Sequence, residues 1–124
     1  MPGAEFTPSE VGTDAAGFRT SGSAETALRV EAWGYWTPEI AHSFTRDAVL
    51  FASKLTPASV LVIDAAQLKP QAVEGQEALR VAFRALATAS FAKATLRTEN
   101  VLTRMQLTRL LRECGLDERV GFER

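Results

Sequence analysis

The pattern of apolar and polar residues along the chain predicts that strands and helices alternate. Residues 27–36 alternate well enough for a strand, and residues 17–24 fit an edge strand before it. Residues 60–63 are apolar without a break, which is typical of a central strand covered on both faces. Residues 93–98 alternate again, and residues 119–123 fit a terminal strand. The pattern therefore predicts four to five strands.

Three amphipathic helices are predicted between these strands. The first begins at Thr37-Pro38, where a hydroxyl N-cap precedes proline at the first helical position, and it ends before Pro57. The second covers residues 73–91 and the third residues 100–114, each with apolar residues at steps of three and four. Gly115-Leu116 supplies the glycine and the hydrophobic contact of a Schellman ending. Strand and helix alternation predicts a mostly parallel sheet with right-handed crossovers.

The length of 124 residues fits one domain with one core. Residues 1–16 combine prolines, glycines and acids without periodicity, so we expect a flexible N-terminal extension there and the folded domain at residues 17–124. The N-terminal segment has neither a basic start nor an apolar run, which predicts a cytoplasmic protein without a secretory signal or a membrane span.

Composition and charge exclude several classes of function. The net charge of -1 gives no general attraction for a phosphate backbone, so no nucleic-acid partner is expected. A single cysteine, Cys114, and a single histidine, His42, are too few for an internal disulfide or a structural zinc site. Nucleophile-elbow and phosphate-loop motifs are absent from the sequence, so we expect no enzyme, no cofactor and no metal.

The first helix is entered through Gly34-Tyr35-Trp36-Thr37-Pro38, and the aliphatic strand ends in Asp64. With the order of elements, these features resemble the STAS domain, the family of anti-sigma factor antagonists and sulfate-transporter C-terminal domains, over residues 17–123. The chain looks most like the divergent bacterial type that stands alone. The resemblance implies an α/β fold with a central, mixed, mostly parallel sheet of four to five strands and three main helices.

Signalling members of that family carry Asp-Ser-Ser-Gly or a near variant at the end of the same strand, and a partner kinase phosphorylates its serine. This chain reads Asp64-Ala65-Ala66-Gln67 at that place. Alanine has no hydroxyl to accept phosphate, so the usual switch cannot act at this position. Asp64 itself has two readings: a residue that forms the turn towards the second helix and accepts backbone N–H groups, or part of a docking surface.

The resemblance implies a non-catalytic protein-interaction module in bacterial signalling or regulation, with a kinase-like or anti-sigma regulator as its partner. The expected partner-binding residues are Asp64, Gln67, Lys69, Tyr35 and Trp36, the last two because aromatic rings at a strand end anchor contacts. Self-association through this aromatic strand end or an exposed edge strand would give a homodimer. The alternative function is binding of a small apolar, lipid-like ligand in a cavity lined by Phe44, Phe51, Phe83 and Phe91.

Overall fold

The computed structural model of the chain describes residues 9–22 and 27–123. It contains six strands and three helices, which alternate from β3 onwards, in agreement with the predicted α/β class. In chain order they are β1 (Ser9–Gly12), β2 (Gly17–Gly22), β3 (Ala27–Gly34), α1 (Pro38–Ser53), β4 (Val60–Leu68), α2 (Val73–Ala87), β5 (Lys93–Thr98), α3 (Val101–Glu113) and β6 (Val120–Phe122).

The six strands lie side by side in the order in which they follow along the chain. β1, β2 and β3 pair antiparallel, whereas β3, β4, β5 and β6 pair parallel, with one helix in each parallel crossover. The mixed, mostly parallel sheet is therefore confirmed in its general form, with six strands in place of four to five.

The additional strand lies in the segment that we predicted to be a flexible extension. β1 pairs with β2 from Ser9↔Thr20 to Gly12↔Gly17, and the Thr13 N–H donates to the Ala16 carbonyl at 2.8 Å in the turn. The predicted domain start at residue 17 is thus wrong for residues 9–16, and residues 1–8 lie outside the described part of the chain. This hairpin is held by backbone hydrogen bonds, so its residues show almost no alternation of apolar and polar side chains from which the sequence could predict it.

All three helices cover the same face of the sheet. Helix α1 packs against α2, and α2 against α3. Since parallel crossovers share one right-handed sense, three successive steps in one direction place their helices on one side. The core between the two layers is built from alternate residues of the strands and the inner stripes of the helices, including Phe18, Leu28, Leu61, Leu96, Phe44, Leu79, Phe83 and Leu107.

The expectation that residues 60–63 are covered on both faces is wrong. Leu61 is buried beneath the helices, but Val60 is 37% exposed and Val62 is only half-buried. Valines on the uncovered face of a strand produce the same unbroken apolar run as a strand buried on both faces, so the sequence pattern could not separate the two cases.

The helix ends follow the local signals in the sequence. Thr37 Oγ1 accepts the Ile40 N–H at 3.3 Å at the start of α1, and Asn100 caps α3. The predicted Schellman ending of α3 is confirmed: Gly115 has φ 75°, and the Leu116 N–H donates to the Leu111 carbonyl at 2.8 Å. Among the residues that the structure describes, no helix is both long and apolar enough to cross a membrane.

Candidate functional site

The face of the sheet opposite the helices, here called the open face, carries a line of charged side chains. Glu10, Arg19, Glu31, Asp64 and Arg97 are paired directly from strand to strand, from β1 to β5. Residues that pair directly in a sheet point to the same side, so all five side chains project from the open face. We call these five residues the charged row.

Ion pairs connect the members of the charged row. Arg19 contacts Glu10 at 2.7 Å and Glu31 at 3.5 Å. Glu31 and Asp64 are like charges on adjacent strands, which is unfavourable on its own. Arg29, two residues before Glu31 on the same face, offsets this repulsion because it contacts Glu31 at 3.5 Å and Asp64 at 2.5 Å.

The ion pairs also fix the positive side chains of the open face. The hydrogen bond that the Arg19 guanidinium donates to Glu10, together with the negative charges of Glu10 and Glu31, raises the pKa of Arg19 above its ordinary value. Arg97, at the β5 end of the charged row, contacts Glu99 at 3.0 Å. Arg19 and Arg97 are therefore both held by carboxylates of their own chain while they remain accessible from outside.

Asp64 lies inside a strand and not at the start of a turn. β4 continues to Leu68, and a bulge interrupts its pairing with β3: Glu31 lies opposite Asp64, whereas Trp33 lies opposite Gln67. One carboxylate oxygen of Asp64 binds Arg29, and the other accepts the Ala66 N–H of the bulge at 3.1 Å. The predicted acceptance of a backbone N–H is thus present, but in a bulged strand.

The five predicted partner-binding residues fall into three places. Asp64 and Gln67 lie together on the open face, where they border a polar hollow of about 380 Å³ that also includes Trp33. Tyr35 and Lys69 are exposed where β3 and β4 have just ended, and the Lys69 N–H donates to the carbonyl of Gly34, next to Tyr35, at 3.1 Å. Trp36 is in the core.

The burial of Trp36 corrects its assignment as a contact residue. It is 4% exposed, its indole N–H donates to the Gly17 carbonyl at 3.0 Å, and its ring lies 4.7 Å from that of Phe44. Trp33 is the tryptophan of the open face: its indole N–H donates to the Thr13 carbonyl at 2.7 Å, and Arg19 lies 5.3 Å from its ring centre. A surface role for an indole ring therefore belongs to Trp33.

Gln71 is a structural residue that no pattern in the sequence singles out. It is 4% exposed and lies beyond the carboxyl ends of β3 and β4. Its side-chain oxygen accepts the Trp36 N–H at 3.0 Å, and its amide nitrogen donates to the carbonyls of Gly34 at 3.0 Å and Lys69 at 2.7 Å. Its backbone exchanges two hydrogen bonds with the side chain of Gln106 in α3. Gln71 thus connects both strand ends to the helix layer.

The core contains a small apolar cavity of about 70 Å³ between the sheet and the helices. Phe44, Phe51 and Phe83 line it as predicted, but Phe91 does not, and the Arg119 guanidinium lies 4.4 Å from the centre of the Phe91 ring. Pockets for drug-sized ligands are larger, at about 300 Å³ or more. A lipid-like ligand would therefore require the helices to separate from the sheet.

Comparison of the chain with protein-family models, with curated proteins and with solved structures found no match. The resemblance to the STAS domain therefore stays a prediction, and function has to be inferred from the residues of the open face. Although that face is rich in carboxylates, no three acidic, histidine or cysteine residues of the described ranges form a group that could hold a metal ion.

Proposed function

We propose that the protein is a non-catalytic protein-interaction module, of the STAS-like type in bacterial signalling or regulation, and that it binds its partner through the open face. One observation supports this above all: the parallel strands β3 to β6 are covered by helices on one side only. Parallel sheets in proteins almost always have both faces covered. A second protein on the open face would complete this arrangement.

The chemistry of the open face is suited to protein binding. Tryptophan and arginine are enriched at interfaces, and here Trp33 lies beside Arg19, with Asp64 and Gln67 two strands away from Arg19. Each arginine of this surface is held by a carboxylate, which limits the rotamer freedom that it would lose on binding. Both carboxylate oxygens of Asp64 are already engaged, as in a group that positions its neighbours and performs no chemistry.

Phosphorylation at the usual place of the family does not enter this proposal. Ala65 and Ala66 offer no hydroxyl group, and Ala65 is buried against the core. Association would instead depend on the charges of the open face, so that partner binding is weakened by salt.

Site-specific photo-crosslinking in cells tests the proposal. A photoreactive amino acid at Gln67 should give a crosslinked protein, whereas the same amino acid at Arg112, exposed on α3, should give much less product. Asp64→Lys should reduce the product from Gln67, and far-UV circular dichroism should show that the helices and the sheet are retained. Equal crosslinking from both positions, or none from Gln67, would contradict binding at the open face. The mass of the product identifies the partner as another protein or as a second copy.

A further inference from the structure

We propose that the occupant of the open face is a second copy of this chain, packed face to face about a two-fold axis parallel to β3. This inference rests on the proposed function, because it assigns a partner to the same surface. It is carried by the sequence of charges across the five strands: Glu10 negative, Arg19 positive, Glu31 negative, Asp64 negative and Arg97 positive.

Rotation of a copy about this axis reverses the order of its strands, so that β1 faces β5 and β2 faces β4. Glu10 then faces Arg97 of the second copy, and Arg19 faces Asp64 of the second copy. By symmetry both contacts occur twice, so four of the five positions in the charged row face the opposite charge. Only Glu31 faces itself, and in each copy Arg19 and Arg29 contact it at 3.5 Å.

The same charges disfavour the other simple face-to-face arrangement. A two-fold axis across the strands would place each strand on its own equivalent, and every member of the charged row would face its own sign. The order of charges therefore selects the axis along β3. Packed sheets cross at about 30°, so β3 of each copy would lie about 15° from the axis. This displaces the outermost residues of the row from their partners by about 5 Å, within the reach of arginine and glutamate side chains.

The size of the surface suits a reversible dimer. With strands about 4.8 Å apart, the open face offers about 500 Å² per copy, or about 1,000 Å² in all, which is near the lower limit of specific interfaces. The surface around the charged row is less polar, because it is formed by Trp33, Val62 and Thr95. The charges enter the interface as pairs already formed within each chain, which lowers the penalty of removing them from water.

Analytical ultracentrifugation of the full chain tests the inference directly. At low salt and rising protein concentration, the mass should increase from 13.5 kDa towards twice that value, and high salt should reverse the association. Glu10→Arg and Arg97→Glu should each weaken dimerisation by about tenfold or more, because each variant creates two like-charge contacts. Glu118→Arg, the same change as Glu10→Arg at an exposed residue in the turn between α3 and β6, should have little effect.

A charge exchange then identifies the pairing. Residues 10 and 97 lie four strand spacings, or about 19 Å, apart within one chain, so they do not contact each other there. The double variant Glu10→Arg/Arg97→Glu should regain the dimer. An equimolar mixture of the two single variants should also associate, since every contact between residues 10 and 97 is then complementary in the heterodimer. Circular dichroism verifies that all variants are folded.

The possible results separate this inference from the proposed function. Dimerisation that neither single variant weakens, or that the exchange does not restore, would refute the pairing described here. A chain that stays monomeric at every concentration would also refute it, whereas crosslinking from Gln67 to a different protein would still support the proposed function. If the chain neither dimerises nor forms a crosslink from Gln67, both this inference and the proposed function are refuted.

Discussion

Replacement of Gln71 by leucine is the most informative test of what holds the carboxyl end of the sheet. Leucine is close to glutamine in volume, so Gln71→Leu removes hydrogen bonds without opening a large cavity. The Trp36 N–H loses its acceptor in a buried position, and the Lys69 carbonyl loses its 2.7 Å contact. The Gly34 carbonyl still accepts the Lys69 N–H at 3.1 Å.

The expected cost follows from these three groups. A buried donor left without a partner costs about 1–3 kcal/mol, and a lost hydrogen bond to a carbonyl with remaining access to partners about 1 kcal/mol. The free energy of unfolding should therefore fall by about 2–4 kcal/mol in Gln71→Leu. With a urea dependence of about 2 kcal/mol/M, the midpoint of unfolding should fall by about 1–2 M.

Gln67→Leu is the matched control, because it makes the same chemical change at an exposed position of β4. Its free energy of unfolding should stay within about 0.5 kcal/mol of the unchanged protein. Urea unfolding of all three proteins by far-UV circular dichroism, at low protein concentration, measures both effects. Equal midpoints for Gln71→Leu and Gln67→Leu would refute the claim that Gln71 holds the strand ends.

Three further predictions concern single positions. Gly75→Ala should lower the urea midpoint although alanine favours helices by about 1 kcal/mol, because the new Cβ would lie 2.8 Å from Gln71 Cβ; a more stable variant would contradict this. Gly115→Ala should lower the free energy of unfolding by about 1–2 kcal/mol because of its φ of 75° alone. Gly121→Ala, where the new Cβ likewise meets no atom within 4 Å, should leave the Tm unchanged, and equal Tm shifts in the two variants would contradict this reasoning. Burial raises the pKa of the Cys114 thiol, so a thiol reagent should modify the folded chain more slowly than the urea-unfolded chain at mildly alkaline pH. The stability that this shift contributes is complete below the thiol pKa of the unfolded chain, and it is lost as the pH rises from that value through the raised pKa of the folded chain. Equal modification rates of the folded and unfolded chains would contradict the shift.

The sequence predicted those elements whose signals are local. Thr37-Pro38 and Gly115-Leu116 carry the chemistry of a helix start and a helix end within a few residues, and both lie where expected. The strand at Lys93–Thr98 was also located from its alternation. β1 was missed because its hairpin depends on backbone pairing with β2, and the end of β4 was missed because a bulge interrupts the alternation.

The candidate site could be predicted only in part, since its residues come together through strand pairing. Asp64 and Gln67 line the same polar hollow, but Arg29, the arginine that contacts Asp64, is far away in sequence. Trp33 and Trp36 lie on opposite faces of the sheet, and the sequence pattern does not tell which face the helices cover. The helices cover the face of Trp36, so the ring expected at the surface is in the core.

The bulge in β4 explains how one strand serves both the core and the open face. Side chains alternate with a period of two, so the extra residue at Ala66 allows Gln67 to remain on the open face while Leu68, 2% exposed, returns to the core. Asp64 holds the N–H of Ala66 and therefore contributes to the bulge as well as to the charged row. Substitution of Asp64 consequently affects local structure and surface charge together. Glu10 and Arg97 have no such role in the bulge, which is why their exchange separates association from folding more cleanly than any change at Asp64.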